Sequence, residues 1–75
     1  MQSLSESLGT RIRAMRKLKK FSQDGFALQC GLDRSYMGRI ERGEVNITVE
    51  KLYRISKELE CEPVELLPKI NDIAI

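Results

Sequence analysis

Two short amphipathic segments on either side of Gly31 constrain this 75-residue chain more than any other feature. The first segment has Ala27 near its centre, and the second has Met37 and Ile40 spaced i, i+3. Helices that cross closely need a side chain no larger than a methyl group at the contact, and a tight turn needs a residue free to adopt positive φ. Residues 23–42 therefore predict two helices packed against each other across a glycine turn.

The rest of the chain fits three further helices and shows no strand pattern or repeat. Capping residues or proline predict helix starts at Ser3, Ser22, Asp33, Thr48 and Pro63. Helix one is predicted to end near Lys20, helix three near Arg42 and helix five at Pro68. Gly9 weakens the first helix, and the alternative to a start at Ser3 is a frayed first turn or a start near Leu8.

Apolar residues recur every three or four positions in these segments and predict the faces that point inward. The predicted inward stripes are Leu4, Leu8, Ile12, Met15 and Leu18 in helix one, and Val49, Leu52, Ile55 and Leu59 in helix four. We expect an all-α, five-helix bundle over residues 4–68. Residues 69–75 form an apolar tail, which either contacts a second copy or folds back on its own core.

Charge is distributed unevenly along the chain, although the net charge is only +2. Residues 1–20 hold six basic side chains and one acidic one, whereas residues 44–75 hold four basic and seven acidic ones. This asymmetry suits a module with one face toward phosphate. Taken alone, the basic run is explained equally well as a solvated helix.

Several functional classes are disfavoured by residues that the chain lacks. No histidine, glycine-rich phosphate loop or metal-ligand cluster is present, which predicts no catalysis, cofactor, metal or small-molecule ligand. No apolar run approaches the roughly 20 residues that cross a bilayer, and no signal peptide is evident, so we expect a cytoplasmic protein without a membrane partner. Cys30 and Cys61 fall at apolar positions and are interpreted as small buried hydrophobes, with a disulfide or redox role as the alternative.

The outward face of helix three carries side chains suited to reading double-stranded DNA. At about 100° per residue, Arg34, Ser35, Gly38 and Arg39 share that face. The guanidinium fork matches the O6 and N7 acceptors of guanine, and glycine permits close approach to DNA.

Four more positions are candidates for contacts to the phosphate backbone. Gln23 begins helix two, where unpaired N–H groups favour a phosphate. Asn46 and Thr48 follow helix three, although Thr48 is first a helix cap. The ring of Tyr36 covers the core edge in one interpretation, and its hydroxyl reaches a phosphate in the other.

The chain resembles the Cro/C1-type helix-turn-helix family over roughly residues 8–67. The matching residues are Leu8-Gly9, Ile12-Arg13, Arg16, Ser22-Gln23, Ala27, Gly31 to Tyr36, Ile40 to Gly43, Leu52, Ile55, Leu59 and Leu66. The stretch from Leu32 to Tyr36 and the small size are most similar to controller proteins of restriction–modification systems, with small phage-type repressors second. Glu44 departs from the family pattern, in which a basic residue is common.

This resemblance implies a lambda-repressor-like fold that binds a palindromic operator as a homodimer. It implies that Gln23 contacts a phosphate and that Arg34, Ser35 and Arg39 face the bases. It also implies that Arg16 and Glu41 form an ion pair. Such a dimer can repress by blocking RNA polymerase or activate by touching it. The alternative from another class is a protein-interaction or antitoxin module that uses the same fold.

Overall fold

The computed structural model describes all 75 residues and confirms the all-α class. Its α-helices are α1 (Leu4–Leu18), α2 (Gln23–Gln29), α3 (Arg34–Glu41) and α4 (Val49–Leu59), followed by 3-10 helices at Pro63–Leu66 and Ile70–Asp72. None of these helices has the length and apolar character needed to cross a membrane. The fifth predicted helix is thus a single 3-10 turn between two prolines, too short to form an α-helix.

Each α-helix begins where the sequence places a capping residue. The side chains of Ser3, Ser22, Asp33 and Thr48 each accept a hydrogen bond from the backbone N–H three positions ahead, at 2.8–3.2 Å. Phe21 precedes one of these caps and packs its ring 5.3 Å from that of Phe26, which fixes the angle at which the chain enters α2. Ser3 and Glu6 form a complete capping box and α1 begins at Leu4, so the predicted cap is confirmed and the alternative start near Leu8 is wrong.

Gly9 lies where α1 touches the end of α3. A Cβ atom at this position would stand 2.4 Å from the carbonyl oxygen of Ile40 and 2.7 Å from that of Glu41. No side chain fits at those distances, so glycine allows the two backbones to meet. The same residue that lowers helix propensity therefore permits the close contact between α1 and α3.

The core draws on every α-helix and on the first 3-10 turn. Its fully buried members include Ile12, Phe26, Met37, Ile55, Leu59 and Leu66. Three predicted inward positions are wrong, and two of them are largely exposed, Leu18 at 74% and Val49 at 70%. Each is a terminal residue of its helix, where the neighbouring elements no longer cover it, and Leu4 at the start of α1 is 40% exposed for the same reason.

The C-terminal tail partly folds back on the molecule. The Ala74 N–H donates to the carbonyl oxygen of Gln2 at 3.0 Å, and Ile73 is buried, with 7% of its surface exposed. Ile73 is therefore unavailable to a second copy, as the fold-back alternative predicted. Ile70 and Ile75 remain exposed.

Candidate nucleic-acid interface

A buried ion pair fixes the position of α3. Arg16 donates from Nε to Glu41 Oε2 at 2.7 Å and from Nη2 to Glu41 Oε1 at 3.0 Å, and its Nη1 donates to the carbonyl of Phe21 at 3.0 Å. Both charged side chains are less than one tenth exposed. Because each polar atom of this pair has a partner, the charges are compensated and α1 is tied to the end of α3.

Gln23 extends this network to the beginning of α2. Its Nε2 donates to Glu41 Oε1 at 3.1 Å, while the residue itself is half-buried. Gln23, the residue predicted to contact a phosphate, thus donates an amide N–H to a buried carboxylate. The backbone N–H groups of the first turn of α2 lie next to this side chain. The orientation of α2 relative to α3 is set by the same carboxylate that holds α1.

The turn between α2 and α3 has the expected conformation. Gly31 has φ of 70°, in the left-handed region that favours glycine, and the Leu32 N–H donates to the carbonyl of Ala27 at 2.9 Å. Ala27 is 1% exposed at the centre of the contact. This turn delivers the chain to Asp33, the cap of α3.

Three of the four residues predicted to lie on the outward face of α3 are exposed there. Arg34 and Arg39 have side chains that are 72% and 52% exposed, and Ser35 is exposed between them. Arg42 joins this surface with a side chain that is 61% exposed, although the sequence marked it only as the end of the helix.

Gly38 is the exception, because it is buried and its predicted exposure is wrong. A Cβ atom there would lie 3.0 Å from Nη1 of Arg42 and 3.6 Å from Oε1 of Gln23. Helical periodicity places residue 38 on the outward side of α3, but it does not reveal that Arg42 and, from α2, Gln23 cover the backbone there.

Two exposed carboxylates hold the arginines of this face. Asp24 Oδ1 lies 2.7 Å from Arg34 Nε, and Glu44 Oε2 lies 2.6 Å from Arg42 Nε. The other oxygen of Glu44 is 3.9 Å from Arg39 Nε. The hydrogen bond from Arg42 lowers the pKa of Glu44, and the same bond raises the pKa of Arg42. Asp24 and Arg34 lie on different helices, so periodicity within one helix does not indicate this pairing.

The remaining candidates have partners within the chain. Asn46 Oδ1 accepts a hydrogen bond from the Ser5 hydroxyl, and Thr48 caps α4 through its own hydroxyl. Tyr36 is half-buried, with Lys51 Nζ 5.6 Å from the centre of its ring. Contacts of these residues and of Gln23 to DNA stay predictions.

A shallow polar recess lies between the start of α2 and the outward face of α3. Its lining contains no hydrophobic residue and consists of Gln23, Arg34, Ser35, Gly38 and Arg42. A surface with these donors and positive charges suits an anionic, hydrated ligand better than an apolar one.

The cysteines lie apart from this surface. Cys30 is 1% exposed, and burial, with a further contribution from Glu58, raises its pKa to about 11. Burial also raises the pKa of the half-buried Cys61. Both thiols are therefore protonated near neutral pH, and no cluster of three or more candidate metal ligands exists in the fold.

Comparison with known proteins agrees with this arrangement. A family model described as helix-turn-helix, HTH_3, matches residues 12–66. Control protein C.BamHI of Bacillus amyloliquefaciens is 38% identical over 60 residues, covering 79% of this chain and 74% of that protein. The restriction-modification controller protein C.AhdI of Aeromonas hydrophila has a TM-score of 0.80 and 39% identity, covering 83% of this chain and 94% of that one. The P22 c2 repressor, solved with a synthetic operator, has a TM-score of 0.74 and 37% identity, covering 80% and 91%.

Proposed function

The chain belongs to the HTH_3 helix-turn-helix family of DNA-binding transcription regulators, and on that premise we propose that it is a controller protein of a restriction–modification system. The observation that carries the proposal is the face of α3, where exposed arginines stand on a helix held by a buried ion pair. Similarity to C.BamHI and C.AhdI over most of the chain supports the controller assignment. The protein acts by binding and has no catalytic step.

In this mechanism α3 enters the major groove and α2 lies across the phosphate backbone. Arg34 stands at the first position of α3, the end of a recognition helix that meets base edges. Arg39 and Arg42 lie further along the same exposed surface and reach a second base or a phosphate. The network of Arg16, Glu41 and Gln23 fixes the angle between α2 and α3, so the base-reading side chains reach DNA on a rigid support.

Retardation of DNA in a gel tests the proposal. The probes are the fragment upstream of the chain's own gene and a scrambled fragment of equal length, each at two salt concentrations. We expect preferential binding of the upstream fragment and a steep loss of affinity as salt rises, because bound arginines and lysines displace counterions from phosphate. No binding to either fragment at low salt would refute the proposal in favour of a protein-interaction module.

Replacement of Arg34 by alanine tests the proposed base contact. We expect Arg34→Ala to weaken operator binding by about 1–3 kcal/mol, with the loss confined to one base position. Arg11→Ala removes an exposed arginine from α1 and serves as the control for charge. The control should lower affinity for all sequences equally, and an unchanged base preference in Arg34→Ala would remove that residue from the site.

The homodimer is proposed because each chain holds one recognition helix. A palindromic operator presents two half-sites about 34 Å apart, so two copies are needed to read both. The exposed apolar residues Val64, Leu67 and Ile70, at the C-terminal end of the fold, are the proposed contact. Analytical ultracentrifugation at tens of micromolar tests this proposal, and a monomer both with and without operator would contradict it.

Two valines that are both 70% exposed provide a matched pair of variants for the dimer contact. Val64→Glu places a charge in the proposed interface, whereas Val49→Glu places the same charge at the start of α4. We expect only the first change to shift the protein toward monomer. Equal effects of both changes would exclude the 3-10 turn as the interface.

A further inference from the structure

The pairing of Asp24 with Arg34 joins the first turn of α2 to the first turn of α3. The two side chains are 64% and 72% exposed, and their atoms are 2.7 Å apart. In folding terms an exposed pair of this kind contributes little. Its position matters more, because it lies on the face through which the proposed function brings the protein to DNA.

The atom that Asp24 holds determines which donors of Arg34 remain available. The guanidinium group has five N–H donors in a planar fork, and Nε is the atom of the ion pair that lies nearest Asp24, 2.7 Å from Oδ1. The two Nη groups at the end of the fork are left to donate together to the O6 and N7 acceptors of a guanine. A long arginine side chain that is already restrained loses less conformational entropy when it binds.

We propose that Asp24 is a specificity-determining positioning residue, which aims the Nη groups of Arg34 at one base pair of the operator. This inference rests on the proposed function and deepens it. Asp24 itself contacts no base. Its negative charge also opposes binding to phosphate wherever Arg34 finds no guanine, so the residue lowers non-specific affinity while it sharpens base choice.

Selection from a randomised duplex library tests the inference and identifies the operator sequence in the same experiment. The wild-type chain defines the preferred sequence, and Arg34→Ala identifies the base position that loses its preference. Competition between the selected duplex and a duplex substituted at that position then measures discrimination. We expect Asp24→Ala to reduce discrimination at that position by about two- to fivefold, the range that the free energy of exposed ion pairs supports.

Glu44→Ala provides the matched control, because Glu44 is a second exposed carboxylate that pairs with an arginine Nε on the same face. Both changes remove one negative charge and raise non-specific affinity, but only Asp24→Ala should alter the base position read by Arg34. Asp24→Glu should restore part of the discrimination. In the Arg34→Ala background, replacement of Asp24 should leave discrimination at that position unchanged.

The outcomes separate this inference from the proposed function. If the wild-type chain selects no sequence, the proposed function fails. If it selects a sequence but Asp24→Ala discriminates as well as the wild type, or better, the positioning role is refuted while the proposed function stands. Better discrimination would mean that Asp24 holds Arg34 away from DNA. Loss of preference at every position in both carboxylate variants would also refute the inference, since a general change of charge or fold would then explain it.

Discussion

The molecule contains two arginine–carboxylate pairs with the same Nε–O distance of 2.7 Å and opposite surroundings. Arg16 and Glu41 lie behind α3, with side chains that are 8% and 3% exposed. Arg34 and Asp24 lie in front of it, with side chains that are 72% and 64% exposed. The same closest distance therefore occurs once in a bidentate hydrogen-bonded pair where water is excluded and once in an exposed ion pair where DNA is proposed to bind.

The difference shows that burial, rather than distance, decides what an ion pair does. In the buried pair, loss of one partner leaves the other charged and unsolvated, so the pair acts on the fold. In the exposed pair, water replaces either partner at small cost, so the pair acts on the position of a side chain. The back of α3 contributes to stability, and the front is the surface where the proposed function would exchange protein contacts for DNA contacts.

The largest expected effect is at the buried pair. Glu41→Ala leaves Arg16 without its carboxylate and removes the acceptor of Gln23, so we expect the free energy of unfolding to fall by about 3–5 kcal/mol. A domain of this size has little more stability than that to lose. Urea denaturation followed by circular dichroism measures the change. Glu44→Ala is the control, and equal losses in both variants would break the comparison.

A smaller effect is expected at Gly9, which supports the same contact behind α3. Gly9→Ala forces a Cβ atom against the carbonyl oxygens of Ile40 and Glu41, and both clashes are with backbone. We expect a loss of about 1–3 kcal/mol, as for other overpacked contacts, although alanine is the better helix former. A rise in the midpoint of thermal unfolding would show that α1 and α3 are not in contact there.

At the front of α3 the loss of an ion pair should matter little for folding. Asp24→Ala removes an exposed carboxylate, so we expect the free energy of unfolding to change by less than about 1 kcal/mol. The same urea titration measures this change beside that of Glu41→Ala. A loss comparable to that of the buried pair would mean that Asp24 has a structural role and would contradict the division between the two faces.

A comparably small change of the opposite sign is expected at Gly38. Gly38→Ala places a Cβ atom 3.0 Å from the end of the flexible Arg42 side chain, which can move aside. Because alanine favours the helix, we expect a gain of roughly 0.5–1 kcal/mol in the free energy of unfolding. Comparison of Gly9→Ala with Gly38→Ala thus shows which side of α3 is packed against backbone. A lower free energy of unfolding in both variants would remove that distinction.

Features that depend on neighbours in sequence could be predicted from the chain alone. The four capping side chains act on backbone groups three positions away, so the starts of all four α-helices follow from local pattern. The positive φ of Gly31 follows from the same kind of local reasoning. The outward position of Arg34 and Arg39 follows from helical periodicity once the apolar face is assigned.

Features that depend on contacts between distant segments could not be predicted in this way. Helix propensity marks Gly9 as a weakness, because it contains no information about the carbonyl groups of α3 that lie against it. Asp24 and Arg34 are ten residues apart, on two helices whose relative angle the sequence does not specify. The burial of Ile73 likewise depends on pairing between the two ends of the chain.

The most direct test of the central claim is a nuclear magnetic resonance titration of the labelled chain with the duplex that it selects. We predict that the amide signals of α3 from Arg34 to Arg42 and of the start of α2 shift, and that those of the 3-10 turns do not shift when the titration begins from the dimer. Shifts confined to α4 and the C-terminal tail, with an unperturbed α3, would contradict the assignment of the exposed arginine face as the surface that reads DNA.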